Sequence, residues 1–510
     1  DASGQPKPEF VTIPFEASAG VDVKTVLGGN LVLDATFNPD FSQVESDQPQ
    51  ITTNQRFEIF FPERRPFFLE NASFFDTPIN TVFSRRIANP QVGARLTGKV
   101  GEYSIGALVA DDRAPALRNP ALNGARAWSG ALRVNRDIVL NAGAGAAGVG
   151  ASSIGAVYTG RLLSNSFNHV GGFDTRLQVS DNWVLTGQAL GSYSRGLISP
   201  ETSLGAALTA QANYSDANWT FTGGYDDRSP KFRTETGFVR RTDMRNVYQV
   251  TSYRFRPENS ILSDWGGDAI TEFTWDYAGT PLDAIYTAQA VCNFIAQTWL
   301  QVGYTRRYEA LRQQDSYAVQ VTTGFWQESV GASITSNILK QANFFFSINT
   351  GTGINYEPSG GKPLELTNST DMNATLSLRF FPELTIDNTY FYFTQSDRTS
   401  GNPIFTNHIF RSRWNYQATR ELSLRAIVQY TELAADPRYS LLESRKNLNA
   451  DMLLTYLASP GTALHLGYNN NFQNYDPALT WTREGLLRSQ SQYVRDSWQV
   501  FVKVSYLLGL

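Results

Sequence analysis

The chain alternates between apolar and polar residues with a period of two over most of its length. Near its end, Trp498, Val500, Val502, Val504, Tyr506, Leu508 and Leu510 share one parity, and Gln499, Lys503 and Ser505 lie on the other with Phe501, Leu507 and Gly509. Successive side chains of a strand point to opposite faces, so such a segment has one greasy face and one mixed face. The stripe recurs as Leu31, Leu33, Ala35 and Phe37 against Val32, Asp34 and Thr36. It recurs again as Trp183, Leu185, Ala189 and Tyr193 against Thr186, Gln188 and Ser192, and as Leu422, Leu424, Ala426, Val428 and Tyr430 against Ser423, Arg425 and Gln429. Polar faces carry full charges in mid-strand, such as Arg425, Lys503 and Asp276, while the apolar faces tend to end in Trp or Tyr. Strands that divide lipid from a watery lumen have this pattern.

Turn-forming clusters separate many of these segments: Gly28-Gly29-Asn30, Ser180-Asp181-Asn182, Asp216-Ala217-Asn218 and Ser459-Pro460-Gly461. Candidate strands run nearly end to end and include 8–17, 79–88, 232–241, 316–327, 329–338 and 488–508. Single-chain bacterial barrels use even strand numbers, which predicts an all-β, transmembrane antiparallel outer-membrane β-barrel of about 26 strands, with about 24 as the next even count. Residues 1–510 are then a single barrel. A propeller would show a repeat of about 40–50 residues, and none is present. No apolar run reaches the roughly 18 residues of a membrane-spanning helix. The nearest, 138–157, is mostly Gly and Ala and reads as a small-residue loop. A barrel this wide has a lumen that its own wall side chains cannot fill.

Residues 39–78 break the alternation, which predicts an inward-folded plug or constriction. Thr52 and Gln55 have capping-box spacing, predicting a short helix through Arg56-Phe57-Glu58-Ile59-Phe60 that ends at Pro62. Three Phe pairs follow at seven-residue intervals: Phe60 and Phe61, Phe67 and Phe68, Phe74 and Phe75. So many rings on a solvated loop would be an aggregation hazard, so they are expected to pack against the rest of the protein. Asp40, Glu45, Asp47, Glu58, Glu63, Arg64, Arg65, Glu70, Arg85 and Arg86 form a charge cluster expected to pair within the lumen. An extracellular cap or a subunit interface is the alternative placement.

Composition narrows the chemistry. Only 18% of residues are charged, against about 25% in soluble domains, and the formal net charge is −4. A basic footprint for nucleic acid is missing. One cysteine, Cys292, and three dispersed histidines, His169, His408 and His465, exclude an intrachain disulfide and argue against a zinc or iron–sulfur site. Ser164 or Ser166 near His169 is too weak a pairing to predict catalysis, so no enzyme activity is expected. No cofactor is expected either. Asp111-Asp112 and Asp226-Asp227, near strand ends, are weak candidates for calcium in external loops, because they lack the odd-position spacing of a dedicated loop.

The stretches DATFNPDFSQVESDQPQI, RFEIFFPERRPFFLENASFF and FSRRI, with an echo in TGFVRRTD at 236–243, resemble an uncharacterised family of bacterial outer-membrane-associated β-barrel proteins. The resemblance covers about residues 20–115. It implies a Gram-negative outer-membrane location and a family 9 carbohydrate-binding-like domain before the barrel. Only seven residues, DASGQPK, precede the first predicted strand here, so that domain is absent from this sequence. The family brings no established activity or catalytic motif.

Two functions dominate these expectations. The first is a channel or export conduit, gated or plugged by 39–78 and passing a polymer, peptide or sugar-derived solute. The second is a membrane scaffold that docks a surface lipoprotein or secreted partner. Width favours the conduit. The expected partners are outer-membrane lipids, lipopolysaccharide and a protein at the outer membrane or cell surface.

Overall fold

The computed structural model describes residues 15–507 apart from 43, 116–121, 123, 140–151, 198–200, 316–318, 460, 475–480, 483–484 and 487–493. It contains one 23-stranded antiparallel sheet. Strands β1 (Val21–Leu27) and β2 (Leu31–Phe37) precede a long excursion, and β3 (Val92–Val100) and β4 (Tyr103–Asp112) follow it. Next come β5 (Ala127–Ile138), β6 (Ser152–Leu163), β7 (Ser166–Gln178), β8 (Trp183–Arg195), β9 (Thr202–Ser215), β10 (Trp219–Arg228), β11 (Met244–Phe255) and β12 (Leu262–Trp275). The third quarter holds β13 (Pro281–Phe294), β14 (Thr298–Leu311), β15 (Thr323–Leu339), β16 (Ala342–Ile354), β17 (Leu366–Phe381) and β18 (Leu384–Asp397). The sheet ends with β19 (Pro403–Gln417), β20 (Leu422–Ala435), β21 (Arg445–Ser459), β22 (Thr462–Gln473) and β23 (Val494–Ser505).

Every strand pairs with its neighbours in sequence, from β1 with β2 to β22 with β23. Turn chemistry sets this meander. Gly28 and Gly29 take φ of 58° and 79° in the first turn, a left-handed region that favours glycine. In the β9–β10 turn the Asp216 carboxylate accepts from the backbone N–H of Trp219 (2.7 Å), the Tyr214 hydroxyl (2.7 Å) and the N–H of Asn218 (2.8 Å), which hold it below the usual carboxylate range.

The distribution of exposure is inverted relative to a soluble protein. Trp128, Leu132, Tyr158, Phe173, Leu204, Val428, Trp498 and Val504 are exposed. Asp34, Arg95, Arg133, Thr159, Asn168, Gln188, Asn407 and Arg411, on the opposite face, are buried. A water-soluble sheet would bury the first set. This one presents a continuous apolar outer surface, which belongs against lipid.

Most connections at one end are short, such as 101–102, 216–218, 295–297 and 340–341. The other end carries the longer 38–91, 229–243, 312–322, 355–365, 436–444 and 474–493. In outer-membrane barrels short turns face the periplasm and long loops face outward. Among the described residues no ladder joins β1 to β23. Lys503 of β23 nevertheless donates to the carbonyl of Asp40, just beyond β2, at 2.6 Å.

The sheet therefore has 23 strands among the described residues, against the expected number of about 26, and 481–482 pair separately with 485–486. Most of the predicted strand 8–17, and residues 488–493 of the predicted strand 488–508, lie outside the described residues. The predicted strands 316–327 and 329–338 are one strand, β15. Glu328 breaks its outer stripe, and Arg306 accommodates that charge by stacking over Trp326 (4.7 Å) and standing 3.8 Å from Glu328. Residues 79–88 and 232–241 are not wall strands. They pair with each other away from the sheet, Phe83 N–H donating to Thr236 O (2.7 Å) and Phe238 N–H to Asn80 O (3.1 Å).

Replacing the outward Leu132 with Arg should destabilise the folded protein by about 2–4 kcal/mol if it lies at the bilayer midplane. Urea unfolding in lipid vesicles measures this, and a loss below about 1 kcal/mol would contradict a lipid-facing position.

Candidate functional site

The inner face of the sheet holds the 38–91 excursion. It crosses from the β3–β5 side to strands on the far side, and the contacts at its two ends differ in kind.

At the near end packed rings are added to the ionic contacts. Phe68 and Phe75 are buried with Ile87, Leu108, Ala110 and Ala131, and Phe67 and Phe74 pack against them. The wall makes room with glycine. A Cβ on Gly93 would stand 3.0 Å from the Phe67 ring, and one on Gly106 would stand 3.1 Å from Phe75. Arg95, a buried wall residue, pairs with Asp34 at 2.6 Å, lies over the Phe67 ring at 5.5 Å and donates to the carbonyls of Phe67 (2.5 Å) and Glu70. The Glu70 carboxylate pairs with Lys24. Phe60 belongs to a second aromatic group, with Phe83 at 5.0 Å and Phe238 at 5.2 Å, and Phe61 lies under Arg85 at 5.9 Å.

At the far end the contacts are ionic. The Glu45 carboxylate accepts from Arg411 (3.0 Å) and Arg413 (3.2 Å) on β19, with Arg64 at 3.8 Å. Asp47 pairs with Arg85, lies 3.8 Å from Arg64, and gives its backbone carbonyl to Arg411 at 2.5 Å. Arg56 enters a larger network near the long-loop end, pairing with Asp283 and Glu309 at 3.0 Å each and donating to Ala310 O at 3.1 Å. Arg241 reaches the second Asp283 oxygen at 2.5 Å. Arg312 joins Asp243 (2.6 Å), Asp276 (3.3 Å) and Asp315 (3.0 Å). Burial opposes ionisation of Asp315, but hydrogen bonds and charge from Arg312 outweigh it and hold this carboxyl below its usual range. Neutral partners complete the clasp. Asn54 donates to Ile354 O (2.8 Å) and accepts from Tyr356 N–H (2.8 Å), and Asn407 donates to Thr53 at 3.1 Å.

The predicted charge residues thus fall in several groups rather than one. Asp40 faces Lys503, Glu58 pairs with Arg86 at 2.7 Å, and Arg86 also donates to Gly237 O at 3.3 Å. Glu63, Arg65 and Ser84 brace the segment internally, Arg65 bonding the Glu63 carboxylate at 2.6 Å and Ser84 donating to it at 2.7 Å. The predicted helix at 56–60 does not form, because Thr53, Asn54 and Arg56 make contacts across the lumen instead. The α-helix here is a single turn, Pro66–Leu69, begun by proline at its first position. Sequence reasoning passed over Arg241, Arg312, Asp283, Glu309, Asp315, Arg95, Arg411 and Arg413 as site residues. The available signal was their charge at inward parity in strands or beside them. For Arg241 and Asp243 there was also the TGFVRRTD echo, since that loop docks on 80–83.

Other candidates have local uses. Ser166 donates to Leu163 O (2.8 Å), while His169, on the opposite face of β7, shares a 2.7 Å hydrogen bond with Tyr158, so the two do not meet. Asp111 accepts from the N–H groups of Gln91 and Val92, and Asp112 from those of Ala88, Asn89 and Ala114. Asp227 is held by Arg245 at 3.2 Å and by Tyr277. Among the described residues no group of three or more His, Cys, Asp or Glu side chains is arranged to hold a metal ion.

Comparison with known proteins agrees with this architecture. Residues 7–102, which span the excursion and the first three strands, match the model of a domain of unknown function, DUF5916. The chain is similar to that family over this span. Sequence comparison with curated proteins returns no match. Among solved structures the chain is similar to the copper transporter OprC, at 10% identity over 81% of this chain and 77% of that one, with a TM-score of 0.51. It is likewise similar to a point mutant of the ferric enterobactin receptor PfeA from Pseudomonas aeruginosa, at 11% identity, 81% and 77% coverage and a TM-score of 0.50. The fold is of the outer-membrane β-barrel type.

The Glu63 brace gives a pH signature. Burial raises this carboxyl, but hydrogen bonds and charge from Arg65, aided by Ser84, override it and bring the value from 4.5 down to about 2. A lowered folded-state value means that its contribution is present above pH 4.5 and is lost as the pH falls toward 2. Discounted for screening, it amounts to about 2 kcal/mol. Hydrogen exchange of residues 60–70 should therefore be faster in Glu63→Gln at pH 6, with the difference from wild type closing near pH 2; an equal difference at both pH values would contradict the assignment.

Proposed function

We propose that the protein is a conduit through the outer membrane of a Gram-negative cell, with a lumen that residues 39–91 occlude and can vacate. The observation that carries this reading is the unequal attachment of the segment. Its β3–β5 end is fixed by packed rings beside the Arg95 and Glu70 contacts, whereas its far end is held by hydrogen bonds and ion pairs.

The two attachments respond differently to water. Exposing the Phe67, Phe68, Phe74 and Phe75 cluster loses about 1.5–3 kcal/mol for each ring. Partly exposed ion pairs are worth about 0–1 kcal/mol each, because the charges are solvated when they part. Glu45 with Arg413 and Asp47 with Arg85 are of this kind. Arg56, being buried with Asp283 and Glu309, is the firmer latch, since removing one partner of a buried pair costs about 3–5 kcal/mol. Movement about the aromatic end, with release of the ionic end into a wet lumen, is the opening that the contacts favour. The solved structures of similar fold are named for copper transport and for ferric enterobactin reception, which accords with transport as the role of the wall.

Planar-bilayer conductance tests this reading. Wild type should stay closed or pass small currents, while Glu45→Lys combined with Arg56→Glu, and deletion of 39–78, should each open a large step. Persistent closure of all three, with a protein partner copurifying stoichiometrically, would replace the conduit with the scaffold reading.

A further inference from the structure

Between residues 50–59 of the inner segment and the inner faces of β12–β18 lies a cavity of about 930 Å³. Five carboxylates and three arginines line it. Most of these charges are answered: Asp283 and Glu309 by Arg56, and Glu58 by Arg86. Four are not. Arg307 and Arg240 are exposed and have no carboxylate partner among the described residues, Arg240 lying only over the Phe238 ring at 5.8 Å. Glu272 and Asp371 have no cationic partner among the described residues. They accept only from amides, Asn246 at 2.7 Å and Asn349 at 3.2 Å.

Ladder register fixes the separation of the backbone positions that carry two of these free charges. Glu272 of β12 is opposite Ile285 of β13, and Ile285 is opposite Arg307 of β14. The anion and the cation therefore share one rung two strands apart, about 10 Å at 4.7–4.9 Å per strand. An extended peptide covers at most about 3.3–3.6 Å per residue, so about three residues span that distance from ammonium to carboxylate. Ile285 lies between the two charges, Asp283 and Glu309 face each other on the next inward rung, and Phe57, Phe391 and Phe393 line the same cavity.

We infer that this cavity binds a short peptide with free termini, about three residues long, its ammonium on Glu272 and its carboxylate on Arg307. Asp371 and Arg240 add charge of the same signs, and the phenylalanines receive apolar side chains. The inference names the solute class for the proposed conduit and rests on that reading only in that the solute must reach the lumen. A solely anionic solute would leave Glu272 and Asp371 unanswered, and a solely cationic one would leave Arg307 and Arg240 so.

Calorimetric titration of the purified full chain with trialanine, N-acetyl-trialanine and trialanine amide tests the assignment. Trialanine should bind, and blocking either terminus should weaken binding tenfold or more. Arg307→Gln should abolish the penalty for amidation alone, and Glu272→Gln the penalty for acetylation alone. Heat-modifiable migration in gels reports that each variant is folded. Absence of binding by wild type, or affinity indifferent to both blocking groups, overturns the inference. Binding without any conductance in the opened variants would overturn the conduit and leave the site standing. Conductance without binding would do the reverse.

Discussion

A strand with apolar side chains on one face and arginines and aspartates on the other is stable only where its two faces meet different media. Everything else in this protein follows from that constraint. Lipid on the outer face forbids an unpaired backbone, so each strand pairs with its sequence neighbours in one continuous meander. Water and protein on the inner face allow charge, but burial there requires that most of it be answered. The wall supplies Arg95, Arg411 and Arg413 together with Asp283 and Glu309, and the inner segment supplies the countercharges.

The excursion between β2 and β3 is accordingly built as a complement to the wall rather than as an independent domain. Its internal regular structure is one helical turn and short 3₁₀ turns at Ala72–Phe75 and Ser84–Arg86. Its order comes from contacts across the lumen, helped by the 229–243 loop, which pairs with 80–83. Two physical attachments hold it: rings seated over Gly93 and Gly106 at one end and guanidinium–carboxylate pairs at the other. The cavity beneath residues 50–59 exists because this segment bridges the wall instead of lying flat on it.

The wall is largely legible in the sequence, and for a simple reason: period-two alternation is a local property, written within each strand. The failures are equally local in origin. Residues 79–88 and 232–241 alternate as wall strands do, but their rings and arginines face each other and the lumen, which no periodicity distinguishes from lipid. Glu328 resembles a strand boundary because its partner, Arg306, is on the neighbouring strand. The segment around Arg56 reads as a helix because Thr52 and Gln55 have capping spacing, yet Thr53 and Asn54 bond Asn407 and Ile354, some three hundred residues away.

The aromatic and charged character of residues 39–78 is plain from the residues themselves, and so is its need for partners. Which charge answers which is not. Glu45 meets Arg411 and Arg413, and Arg56 meets Asp283 and Glu309, because strand register and sheet curvature bring those positions onto one inner surface. By itself, then, the sequence determined the alternation, the membrane-type wall and the presence of an inserted polar-aromatic segment, since these depend on side-chain parity and composition. The tertiary structure alone decided the pairing of the charges, the seat of the phenylalanines and the cavity with four charges unanswered among the described residues, since these depend on which strands lie opposite one another across the inner face.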